Sequence, residues 1–214
     1  MSSFTITYDK LPDPLFDALP ESAKKRFLEI GNAIVEEDVS YIKKAEEFIA
    51  EYPHFPRTYS LLEGLYALDD QEEKMQQLAK SMYQKFPDYL FAKTTYASWC
   101  MTNGDIDAFE RIFEGKHNLK LLYPHRDSFH VEEFLIFMDI VCRHACHQAN
   151  FDYVRQILKL LKKIPESACI TDLIKHRLFM FENLPFITTM EQSSGRGEAI
   201  HVNKNNNASK RKKK

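Results

Sequence analysis

The sequence predicts an all-α protein, an α-solenoid of about four antiparallel helix hairpins closed by a C-terminal capping helix. Three observations carry that prediction. Apolar residues recur at helical spacing along most of the chain. The aromatic-proline pairs Tyr52-Pro53 and Phe86-Pro87 stand 34 residues apart and bracket two helical segments around an Asp69-Asp70 turn. The same cadence of helix, turn, helix and proline recurs on either side. Composition agrees: 44% of the 214 residues are hydrophobic, enough to bury a core, and glycine is scarce at six residues.

Taken in order, residues 1–21 read as an irregular arm. Phe4 to Tyr8 alternates like a short strand before Pro12, Pro14 and Pro20 punctuate the chain, giving a strap expected to pack on the first helix. The repeat domain then spans 22–187. Its first helix starts near Glu21-Ser22 with Phe27, Ile30, Gly31 and Ile34 on one face. Asp38 is a natural N-cap for the next helix, whose stripe is Tyr41, Ala45, Phe48 and Ile49. Tyr59, Leu62 and Tyr66 pair with Met75, Leu78, Ala79 and Met82, with Asp70 and Glu73 placed as a capping box. Tyr96, Ala97 and Cys100 lead to Asn103-Gly104-Asp105, where Gly104 suits a left-handed C-cap and Asp105 the next N-cap. Ile106, Phe109, Ile112 and Phe113 face back. A connector, Gly115 to Phe129, precedes the fourth pair, in which Met138, Val141, Cys142 and Ala145 oppose Val154, Ile157, Leu158 and Leu161. Ile170 to Phe181 is the capping helix, and 188–214 reads as a disordered basic tail.

Charge is divided along the chain. Residues 200–214 hold six Lys/Arg and no acid, which leaves 23 bases against 31 acids in residues 1–199, a net of −8. An acidic body argues against a broad nucleic-acid footprint on the folded part. The tail, ending Lys210-Arg211-Lys212-Lys213-Lys214, could meet nucleic acid or a ribosome, and this is the alternative function. The four cysteines lie inside apolar helical patterns, as in a reducing compartment. Neither a signal-peptide pattern nor a membrane-length apolar run occurs, so the expectation is a cytoplasmic protein without membrane contact.

The 34-residue period and paired helices resemble the tetratricopeptide repeat, on Phe27-x2-Ile30-Gly31-x2-Ile34, Tyr59-x2-Leu62-Glu63-x2-Tyr66, Lys93-x2-Tyr96-Ala97-x2-Cys100 and Met138-x2-Val141-Cys142-x2-Ala145. Glu63 stands where that repeat has a small residue, so close helix packing is expected to be loosest there, and Lys93 stands where it has a large aromatic. Phe86 to Lys93, Leu119 to Pro124 and Phe129-His130 further resemble a bacterial family of stand-alone tetratricopeptide proteins without an assigned activity. The resemblance implies a protein-interaction module whose first helices line a concave groove for a peptide or partner protein. Carried over position by position, the groove residues are Arg57, Ser60, Phe91, Thr94, Ser98, Asp139, Arg143 and His147.

No constellation for catalysis is visible, so the expectation is a non-enzymatic chain without cofactor or metal. His130, Cys142, His144, Cys146 and His147 fall within 18 residues and would suit zinc by ligand type. Against that, no Cys-x2-Cys knuckle occurs and Cys142 fills the small-residue slot of the repeat, which is a core role. Adjacent helical side chains point about 100° apart, so His147 is poorly placed to activate Cys146.

Overall fold

The computed structural model describes residues 4–194, the side chains of residue 166 and of 184–194 excepted. Most of the chain is helical. A short strand β1 (Thr5–Thr7) and helix α1 (Pro14–Asp17) lead into α2 (Glu21–Val35) and α3 (Ile42–Glu51). Then come α4 (Pro56–Leu68), α5 (Glu72–Lys85), α6 (Leu90–Thr102) and α7 (Ala108–Phe113). The connector holds α8 (Leu119–Leu122) and strand β2 (Ser128–His130), and the chain continues through α9 (Val131–His147), α10 (Phe151–Leu161) and α11 (Ala168–Ser194). Each long helix packs on its neighbours in sequence: α3 on α4, α4 on α5, α5 on α6, α9 on α10, and α10 on α11. Contacts also skip one partner, as α2 touches α4 and α9 touches α11. Among the described residues, no helix is long and apolar enough to cross a membrane.

Four turns share one geometry. After α2, α4, α6 and α9 a single residue takes a left-handed conformation: Glu37, Asp70, Gly104 and Ala149. The residue after each donates its N–H to a carbonyl five positions back, at Ala33, Tyr66, Cys100 and Ala145, over 2.8–2.9 Å. That is the Schellman closure of a helix end. A second turn recurs at the aromatic-proline pairs. Tyr52, Phe86 and Tyr123 each donate back to a carbonyl four residues earlier and accept from Phe55, Tyr89 and Arg126 in turn. Proline after each aromatic keeps that residue out of the helical region and so ends the helix.

Several local expectations change. Asp70 does not cap α5; it occupies the left-handed position, and α5 begins at Glu72. Asp105 pairs with Arg111, and its carboxylate also takes a backbone hydrogen bond from Ala108 at the start of α7. Asp38 does cap, accepting from the Ser40 N–H at 3.0 Å, although the segment it opens is a 3-10 turn. The close approach of α2 and α4 falls at Gly64, where a Cβ would come 3.2 Å from Ile34. Glu63, one residue earlier, points elsewhere, so its size does not loosen that contact. Lys93 is buried, its ammonium donating to the Ile112 carbonyl at 3.3 Å, and burial pushes its pKa down. Helix α11 runs past residue 187 to Ser194, and the basic end of the expected tail lies outside the described residues.

The arm is the largest correction. It does pack on α2, through Phe16 against Phe27, but its strand pairs in parallel with β2, Thr5 opposite Ser128 and Thr7 opposite His130. Phe4 sits edge-on to Phe129 at 5.2 Å. Residues 4–7 are therefore tied to the start of α9, and the arm passes the N-terminal ends of α4, α6 and α9 on its way back to α2.

Candidate binding groove

Residues three and four apart on a helix share a face. On α4 that relation joins Ser60 to Glu63; on α6 it joins Phe91, Thr94, Thr95, Ser98 and Thr102 in one row. Two cavities open along this shared face. The larger, about 830 Å³, lies at the N-terminal ends of α4, α6 and α9 and is walled on its outer side by arm residues Tyr8 to Leu15. The smaller, about 350 Å³, lies further along and is lined by Glu63, Thr94, Thr95, Ser98, Trp99, Thr102 and Asp139, with apolar cover from Met75, Ile136 and Ile140. Both volumes are in the range of small binding sites.

In the larger cavity both arginines are matched by carboxylates of the same chain. Arg57 donates to Asp13 of the arm at 2.9 Å, and its guanidinium lies over Phe27 at 5.0 Å. Arg126 makes a two-pronged pair with Glu133 at 2.9 and 2.7 Å and stacks over Phe129 at 4.3 Å. Glu133 also accepts from the His130 N–H, and His130 accepts from the Glu132 N–H, so His130 caps α9. Phe91 lies half-buried against Tyr89, whose phenol burial pushes up to about 12. The Ser60 hydroxyl is buried beside that phenol, out of hydrogen-bond geometry with any described group.

The smaller cavity is different. Burial pushes the Glu63 carboxyl up to about 7, and the one opposing influence is a hydrogen bond from the Thr95 hydroxyl at 3.3 Å. No described cation pairs with Glu63. Thr94 spends its hydroxyl on the helix backbone, donating to the Leu90 and Phe91 carbonyls. Ser98 and Thr102 accept from the two guanidinium ends of Arg143 at 2.8 and 2.7 Å. Asp139 accepts from Arg177 of α11 at 2.7 Å rather than from Arg143 one turn along.

Six of the eight residues read from the sequence thus line the two cavities: Arg57, Ser60 and Phe91 the larger, Thr94, Ser98 and Asp139 the smaller. Arg143 stands behind Ser98 and orients it. His147 lines neither cavity, and its ring meets Phe181 edge-on at 4.7 Å. Thr95, Trp99 and Glu63 line the smaller cavity as well, without a sequence signal that marks them as site residues. The first two are flanked by the carried-over positions Thr94 and Ser98, and the third stands out only as too large for its slot. The cysteine and histidine cluster does not converge on one point. Cys142 and Cys146 are buried and burial pushes both thiols up, Cys142 to about 12, as suits core residues rather than reactive thiols.

Comparison of the chain with protein-family models, with curated proteins and with solved structures finds no match.

Proposed function

We propose that this chain is a non-enzymatic helical-repeat module of the tetratricopeptide kind that holds an extended segment of a partner protein along the face of α4, α6 and α9, with a basic side chain of that segment at Glu63. Support for the repeat reading comes from the four equivalent Schellman turns and the three aromatic-proline turns. The observation that carries the ligand chemistry is the unpaired Glu63 in a cavity lined by hydroxyls and one indole. Burying an ionised carboxylate without a partner is costly, so at neutral pH a lysine or arginine reaching into the cavity recovers energy the free protein forgoes. Ser98, Thr95 and Thr102 supply hydrogen-bonding oxygens, and Trp99 with Ile136 and Ile140 supplies apolar contact for a neighbouring side chain. The net charge of −8 over residues 1–199 favours approach of a basic partner.

A display library of random peptides selected on the full chain tests this reading. Enriched peptides are expected to carry Lys or Arg next to an apolar residue. They should lose binding to Ser98→Trp, which fills the cavity, and weaken about tenfold on Glu63→Gln, the loss of one charge-assisted contact. Peptides without basic residues, or peptides bound equally by wild type and Ser98→Trp, overturn it.

A further inference from the structure

Away from the groove, three side chains with metal-ligating atoms meet: Glu110 of α7, His117 of the segment after it, and His144 near the end of α9. Backbone geometry brings the first two together. Glu114 and Gly115 are both left-handed (φ 53° and 66°), and the Lys116 N–H closes the reversal on the Phe113 carbonyl at 2.9 Å. The chain therefore doubles back and returns His117 to Glu110. Phe109, fully buried, lies against both imidazoles: it stacks on His144 with centroids 4.4 Å apart and meets His117 edge-on at 5.0 Å.

Packing on Phe109 accounts for the His144 ring, while its Nδ1 is left without a partner among the described residues and its Nε2 faces Glu110. His144 is 1% exposed, and its Nδ1 has no hydrogen-bond partner among the described residues. Its Nε2 stands 3.6 Å from Glu110 Oε1, longer than a hydrogen bond. The His117 Nε2 is 3.3 Å from the same oxygen, and the three ligand atoms all lie within 4.8 Å of one another. Ligands at zinc's usual bond lengths, arranged tetrahedrally, stand roughly 3.3–3.4 Å apart. The His117–Glu110 edge, a hydrogen bond at 3.3 Å, and the His144–Glu110 edge at 3.6 Å are both close to that value, as for three atoms around an ion.

We propose that Glu110, His117 and His144 form a binding site for a divalent transition-metal ion of zinc's class. Two imidazoles and one carboxylate exclude a preference for calcium or magnesium, which select oxygen ligands. The side chains of His117 and Glu110 keep 33% and 41% exposure, so the ion has a route in and a fourth position open to water. Its effect on the fold is to pin the segment after α7 to the end of α9, two parts of the chain otherwise joined at this point by ring contacts on Phe109.

Full-length protein stripped with a chelator and titrated calorimetrically with zinc chloride tests the site. One ion per chain and a raised unfolding temperature are expected. His117→Ala and Glu110→Gln should each weaken binding by at least about tenfold, since loss of a ligand costs no less than loss of an outer-shell partner. Both should also lose the zinc-induced rise while unfolding as wild type does without metal. Cys169→Ser, which removes the exposed thiol, should bind as wild type. The proposal is overturned by wild type that takes up no zinc at micromolar metal, by His117→Ala and Glu110→Gln that bind like wild type, or by loss of binding in Cys169→Ser.

Discussion

The two cavities share the α4–α6–α9 face yet differ in how their charged side chains are met. At the larger one, each of the two arginines that line it finds a carboxylate of the same chain, and the arm covers one side. At the smaller one, Arg143 is held by hydroxyls, Asp139 is taken by Arg177, and Glu63 has no cation among the described residues. A charge already matched gains little from a ligand, whereas an unmatched buried one gains a great deal. The larger volume is thus mainly architecture, and the smaller one is where an incoming charge changes the energy most.

Three measurements probe that contrast. The largest effect is expected from Phe129→Ala. This fully buried ring joins Phe4 of the arm to Arg126, and truncating such a side chain costs about 3–5 kcal/mol. Limited proteolysis should then cut within residues 4–13 before the rest of the chain; uniform resistance would mean that the arm is not held at β2.

Glu63→Gln comes next. The folded-state pKa of about 7 lies above the ordinary 4.5, so the folded protein keeps a proton that the unfolded chain gives up. Stability from this group is therefore full below about pH 4.5, falls as pH rises to about 7, and is constant above. The loss amounts to about 3 kcal/mol. Glutamine removes it, so denaturant unfolding at about pH 8 should show the variant more stable than wild type, with the gap closing near pH 4.5. A gap that is absent at pH 8, or that persists at pH 4.5, contradicts the unmatched-charge account.

The smallest effect belongs to Asp13→Asn. The Arg57–Asp13 pair is part-exposed, with side-chain exposures of 42% and 21%, and such pairs contribute under about 1 kcal/mol. A loss several times larger, read from the same denaturant curves, would show that the arm relies on this ion pair rather than on Phe4, Phe16 and the strand.

How far the sequence went depends on the range of the interaction. Helix stripes, the Gly104 turn and the aromatic-proline stops are local, and each was readable from residues within five positions of it. Asp70 was misread because capping and left-handed turns both favour Asp, and only the backbone decides between them. The groove face was legible wherever helical spacing sets it, as at Ser60, Phe91, Thr94 and Ser98. What spacing cannot reveal is who pairs with whom across helices. Asp139 and Arg143 are four apart and of opposite sign, yet the first chooses Arg177 and the second Ser98 and Thr102. Glu110 and His117 meet His144 through a chain reversal and a separate helix, and no motif marks that meeting.

The parallel pairing of Thr5–Thr7 with Ser128–His130 carries a consequence for biosynthesis. Thr5 to Thr7 must wait for a partner made more than a hundred positions later. At about 5–20 residues per second that delay is roughly 6–25 s, long enough for α2 to α5 to fold around a dangling leader. During that interval Phe4 and Ile6 have no Phe129 to cover them, and the leader is open to proteases and chaperones. Docking of the strand then reports that synthesis has passed β2, ahead of α9, α10 and α11, which follow it in the chain.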